Sequence, residues 1–232
     1  MIKTVIKLIN NDEILRTSTY LIKKILQLEH HNVIKVFNMY KDQSDGQYYA
    51  EYEFCNLYSL NELIEQNKIE LPLLNLLITQ ILEGLSYLHN QGLVHSDLKL
   101  SNVLLKKEGM ELTFKIGDLF TLKNDPSPFT INGGFFTPEI ISPEVYKLKV
   151  ITAKADIWSF GVMLYILFTG QYPFGDRRKI TIKEIKRNVK KNLIIGPPLK
   201  QIISPYNDFI ALCLDPDPKK RPSAKDFLKM IN

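Results

Sequence analysis

The chain has 232 residues, 45% of them hydrophobic and 24% charged, with a formal net charge of +5. That length can bury a real core in one bilobed domain or two small ones, and the composition is that of an ordinary globular protein, not a disordered or fibrous one. The positive balance comes mostly from lysine, a well-hydrated and weakly specific charge, and no Arg-rich or aromatic-interleaved stripe suggests a nucleic-acid reader.

Cys55 and Cys213 are the two cysteines, far apart and without metal-ligand spacing. They argue for a reducing compartment and against a disulfide framework or zinc site. The opening MIKTVIK breaks each short apolar run with a charge, unlike a secretory signal. The apolar run Ile157 to Tyr172 is shorter than the roughly 20 residues of a membrane helix. The expected location is the cytoplasm, or the nucleus, with neither membrane nor nucleic acid as a partner.

In chain order, residues 4 to 9 alternate as a strand that sets Lys7 opposite Ile6 and Leu8. Residues 12 to 29 carry a helical period through Ile14, Leu21, Ile22, Ile25, Leu26 and Leu28, with Asp12 as N-cap. Two strands, Val33 to Tyr40 and Gln47 to Phe54, follow around an Asp45-Gly46 turn. Pro72 to Gln91 reads as a helix, with Pro72 in its first turn, Gly92 as its stop, and Leu73, Leu77, Ile81, Leu85 and Leu88 along one face.

Next comes the stretch on which the reading turns. Leu93-Val94 and Val103-Leu104-Leu105 read as short buried strands, which pin a loop carrying His95, Asp97, Lys99 and Asn102. A carboxylate, an ammonium and an amide on one pinned loop can hold a hydroxyl, a phosphate and a metal ion. Beyond it, an apolar strand from Phe114 ends at Asp118, 21 residues after Asp97. Residues 119 to 136, with Pro126, Pro128 and Gly133-Gly134, read as a mobile polar segment. Residues 177 to 191 are rich in Lys and Arg, with Ile182, Ile185 and Val189 on one face. This is either a helix with a solvated basic side or a docking site for an acidic partner.

His95, Asp97, Leu98 and Asn102 resemble the H-R-D-L-x-x-x-N catalytic loop of protein kinases, with Ser96 in place of the usual Arg. Lys99 is the form typical of serine/threonine kinases. Thr-Val-Ile-Lys7 resembles the lysine strand, Asp118-Leu-Phe120 the D-F-G motif, and Thr137-Pro-Glu-Ile-Ile-Ser-Pro-Glu144 the T-P-E-Y-x-A-P-E segment. Asp156-Ile-Trp158 matches the core helix whose Asp supports the loop backbone, and Arg221 matches the distant partner of Glu144.

The resemblance implies an α+β, kinase-like bilobed fold: a truncated N-terminal β lobe over residues 1–55 and a mostly helical C-terminal lobe over 56–232. It implies ATP and Mg2+ as cofactors and a protein substrate. Asp97, Lys99, Asn102 and Thr137 would be catalytic, with Asn102 and Asp118 as metal ligands. Lys7 would hold the inner phosphates, the Glu53 and Cys55 backbone the adenine edge, Ser59 the ribose, and Leu60 and Leu104 would contact the nucleotide, below a Tyr52 gatekeeper. Thr121, Ser127 and Thr130 could carry phosphate.

The chain departs from the pattern in four places. It has no G-x-G-x-x-G, no acid at Leu21 or Ile22 where the helix should offer a glutamate to Lys7, Ser96 for Arg, and Phe120 for Gly. If position 120 required φ > 0, its side chain would cost about 1–2 kcal/mol. Three readings stay open: an active serine/threonine kinase, a pseudokinase acting as scaffold or allosteric partner, and a fragment whose lid lies upstream of Met1. An incomplete lid would leave room for a partner protein over the small lobe.

Overall fold

In the computed structural model, residues 4–9, 18–65, 71–129 and 136–231 are described. Strand β1 (Thr4–Ile9), helix α1 (Thr19–Gln27), β2 (Val36–Lys41) and β3 (Tyr48–Glu53) come first. The three strands form one antiparallel sheet in the order β1-β3-β2. β1 is an edge strand, and its Ile6 and Leu8 are exposed. Helix α1 starts at Ser18, whose Oγ accepts the Leu21 N–H at 3.2 Å. Asp12, the expected cap, lies outside the described residues, as do Ile14, Thr130, Gly133 and Gly134. At the other end of α1, Lys35 Nζ donates to the Leu26 and Leu28 carbonyls, the favourable place for a cation.

Helix α2 (Leu60–Glu65) precedes α3 (Leu71–Asn90), a 20-residue helix. Alpha3 is long and apolar enough, at a mean hydropathy of 1.3, to cross a membrane by length and composition. Its Leu77, Ile81, Leu85 and Leu88 are buried as core, and Gly92, at φ 65, ends it. The hairpin of β5 (Val103–Glu108) and β6 (Glu111–Ile116) follows the loop, and β4 (Leu93–Val94) precedes it.

β4 pairs with β7 (Lys123–Asn124), and β8 (Ser127–Pro128) with β9 (Val150–Ile151). Residues 119–129, expected to be mobile, are thus anchored by two ladders, and Leu119, Phe120, Leu122 and Phe129 are buried. Polarity of sequence hid these four anchors. Helices α4 (Pro143–Leu148), α5 (Ala153–Thr169), α6 (Ile182–Lys191), α7 (Tyr206–Cys213) and α8 (Ala224–Ile231) complete the chain. α5 is apolar all round and buried from Ala155 to Tyr165, as a central helix must be.

Two compact units emerge from the packing: residues 1–87 with 100–122, and 88–99 with 123–232. Packing therefore groups residues 56–87 with the first strands. In the second unit, Arg221 donates from both terminal nitrogens to Glu144 at 2.8 Å, and both side chains are buried. Its Nε donates to the Asp215 carbonyl and its Nη1 also to the Lys154 carbonyl, and its Cζ lies 4.9 Å from the centre of the Trp158 ring.

Candidate active site

A cavity of about 360 Å³ opens in the first unit, within the size range of small-molecule sites. Its lining includes Lys7, Glu53, Cys55, Asn102, Leu104 and Asp118, six residues that the sequence assigned to one site. The sheet register explains the first of these. Lys7 lies opposite Ala50 and Val5 opposite Tyr52, so the period of two puts Val5 and Lys7 on one face. Lys7 is exposed, and α1 contains lysines but no acid. Among the described residues Lys7 has no ion-pair partner.

The segment that follows β3 is held from both sides. Leu57 N–H donates to the Leu105 carbonyl, and Leu105 N–H to that of Tyr58. The Glu53 carboxylate meets Lys115 at 2.9 Å and Lys106 at 3.4 Å, and accepts the Lys35 N–H at 2.8 Å. Lys115 in turn donates to the His31 carbonyl at 2.7 Å. One side chain thus ties β3, β5, β6 and the segment before β2. The Cys55 N–H has no protein acceptor among the described residues, which leaves it available to a ligand edge. Burial first, then the Glu53 charge, pushes the Cys55 thiol up to about 11, so it is not a nucleophile near neutrality.

Asn102 and Asp118 meet on the cavity lining. Asn102 closes the short 3-10 turn Leu100–Asn102 and its Nδ2 donates to Asp118 Oδ2 at 3.3 Å. Gly117 N–H donates to the Asn102 carbonyl at 2.7 Å and fixes the approach of β6 to that turn. Asp118 adopts the left-handed conformation, φ 57 and ψ 53, which Asp tolerates better than most residues. Phe120 does not: it lies in the 3-10 turn Leu119–Thr121 at negative φ, so the cost attached to a side chain there does not arise. Its buried ring meets Tyr52 edge-on at 6.4 Å.

Ser59 is placed differently. Its hydroxyl donates to Glu62 Oε2 at 2.7 Å at the start of α2, and neither Ser59 nor the buried Leu60 lines the cavity. Ser101, Ile34 and Val5 do line it, and the sequence reading did not single them out. Val5 was within reach, because strand alternation puts it beside Lys7.

The second unit holds the other three residues as one cluster. Thr137 Oγ1 donates to Asp97 Oδ1 at 2.8 Å, while Lys99 Nζ donates to Asp97 Oδ2 at 2.5 Å and to Thr137 Oγ1 at 3.1 Å. The loop backbone beneath them is clamped by Asp156, wholly buried in the first turn of α5. Its carboxylate accepts the N–H groups of His95 at 2.8 Å and Ser96 at 3.0 Å, with His89 Nε2 at 2.9 Å. These charge-assisted bonds hold Ser96 at φ 68, a conformation that costs a non-glycine residue about 1–2 kcal/mol.

The donor set of Asn102 and Asp118 consists of hard oxygens, which suits magnesium. Among the described residues no group of three His, Cys, Asp or Glu side chains could hold a metal alone.

Residues 2–231 match the protein kinase domain family, and the chain belongs to that family. It is 35% identical over 202 residues to serine/threonine-protein kinase plk-2 of Caenorhabditis elegans, covering 85% of this chain and 30% of that protein. It is 33% identical over 221 residues to MAP3K epsilon protein kinase 2 of Arabidopsis thaliana, covering 93% and 15%. Against serine/threonine-protein kinase PLK2 of Mus musculus the figures are 31% over 208 residues, 87% and 28%. The chain thus spans less than a third of the length of these relatives.

Proposed function

We propose that the chain binds ATP with Mg2+ and transfers the γ-phosphate to serine or threonine hydroxyls of protein substrates. The observation that carries this reading is the single cavity lined by Lys7, the hinge residues Glu53 and Cys55, Leu104, and the Asn102–Asp118 pair. The nucleotide with its metal ions would supply the phosphoryl group and neutralise its charge, so positioning and electrostatics are what the protein must add. Asn102 and Asp118 would hold the metal by their oxygens, and Lys7 the inner phosphates. Asp97, fixed by Thr137 and Lys99, would orient the substrate hydroxyl and accept its proton. Lys99 would balance charge on the transferred group. The similarity to proteins named serine/threonine kinases supports the choice of hydroxyl.

A second reading, a catalytically weak or silent scaffold, is favoured by one observation: Lys7 has no acidic partner among the described residues. Purified protein with Mg·[γ-32P]ATP and dephosphorylated casein separates the two. The first reading expects phosphate transfer that Asp97→Ala abolishes while the Mg·ATP-dependent thermal shift survives, and that Asp118→Asn abolishes together with the shift. Absence of both transfer and thermal shift in the unaltered protein would overturn it.

A further inference from the structure

Outside the cavity, several lysines gather where α4 packs against α6. Helix α6 opens with a capping box in which Thr181 and Glu184 satisfy each other, so its one acid is committed to its own first turn. Ile185 and Val189 are buried, and Asn188 Nδ2 donates to the Phe174 carbonyl at 3.0 Å, which fixes the helix rotation. That rotation sets Ile182, Lys186 and Lys190, spaced by four, along one face, with Ile182 and Lys190 exposed and Lys186 half-buried. Lys186 Nζ stands 5.7 Å from the centre of the Tyr146 ring on α4.

Lys149 caps α4 in the left-handed conformation, φ 58, between the exposed Leu148 and Val150. It lies at the end of the helix whose Tyr146 ring faces Lys186, and desolvation first, then the charges of Lys186 and Lys190, lower its pKa. The acids around these lysines are engaged elsewhere. Glu144 is paired with Arg221, Glu139 with Arg177, Asp176 with Arg178, and Glu184 with its cap. Among the described residues Lys149 and Lys190 have no ion-pair partner, and Lys186 only the Tyr146 ring.

We propose that this surface docks an acidic protein segment that carries an apolar anchor: its carboxylates meet Lys149, Lys186 and Lys190, and its anchor lies against Leu148, Val150 and Ile182. Charge complementarity selects an anion, and the interleaved aliphatic side chains select a protein. Nucleic acid would be served by arginine forks and aromatic platforms, and a lipid surface by exposed Trp or Phe; the three cations here are lysines, and no exposed large aromatic lies near them among the described residues. The site is independent of the phosphotransfer reading and is tested without it.

Fluorescence anisotropy with a labelled 15-residue Glu/Asp peptide bearing two leucines is the direct measurement. The expected result is binding that weakens with salt, falls ~tenfold or more in Lys149→Glu/Lys186→Glu/Lys190→Glu, and falls severalfold in Ile182→Ser. A peptide of equal charge without leucine should bind more weakly and be indifferent to Ile182→Ser. The milder Lys149→Gln, with an unchanged thermal midpoint, guards against a folding defect. Unaltered affinity in the triple variant would overturn the proposal. So would no peptide binding by the unaltered chain, or tighter binding through the same lysines of a single-stranded oligonucleotide or a phosphatidylserine vesicle.

Discussion

Replacing Arg221 by Met should be among the most damaging single changes to the second unit, and the structure gives its size. The guanidinium is wholly buried and makes two bonds to Glu144, one to the Asp215 carbonyl and one to the Lys154 carbonyl. Loss of one partner from a buried ion pair costs about 3–5 kcal/mol, because the other charge stays in a dry site. The two abandoned carbonyls add about 1–2 kcal/mol each. The double variant Arg221→Met/Glu144→Leu removes the stranded charge and should recover about 3–5 kcal/mol, leaving only the carbonyl loss. The chain has one tryptophan, Trp158, buried with its ring 4.9 Å from the guanidinium, so urea unfolding followed by its fluorescence reports on this unit directly. A single variant destabilised by less than about 1 kcal/mol, the value of an exposed pair, would refute the argument. A double variant no more stable than the single would do the same.

Two further outcomes follow from packing and burial. At Gly161 in α5 an added Cβ would sit 2.4 Å from Cys213 Cβ, so Gly161→Ala should lower stability by about 1–3 kcal/mol, and Cys213→Gly should return part of it; a neutral Gly161→Ala in thermal unfolding would contradict the packing. With a thiol pKa near 11, Cys55 is protonated at neutral pH, so its alkylation by iodoacetamide should be slow at pH 7 and still climbing tenfold per pH unit at pH 9. A rate that levels off near pH 8.5, followed by peptide mass spectrometry, would show an unperturbed thiol.

Much of this architecture was written locally. The apolar strips around the loop became β4 and β5, and Glu144 found Arg221 because two short motifs each named one end of the pair. The cavity assembled six of its assigned residues for the same reason: each stood in a motif with a fixed spacing. Ser59 escaped because Ser59-Leu-Asn-Glu62 is itself a capping box, a signal present in the sequence that competes for the hydroxyl. The Glu53 carboxylate was beyond reach. Its partners Lys106 and Lys115 lie more than 50 residues away, and only the hairpin register brings them to it. Phe120 shows a third kind of miss: a residue type was read as strain, while the left-handed residue is Asp118 and Phe120 keeps a negative φ.

The buried Phe120 ring bears on which ligands the cavity can accept. With a bulky ring where a glycine would swivel, the Asp118-Leu119-Phe120 tripeptide has lost its universal joint. Rotating Asp118 out of the cavity would drag the Phe120 ring off Tyr52 and into water, forfeiting roughly 1.5–3 kcal/mol of burial. Compounds that wedge themselves in by evicting the carboxylate should therefore bind this protein poorly, whereas flat ligands that leave it in place meet no such barrier.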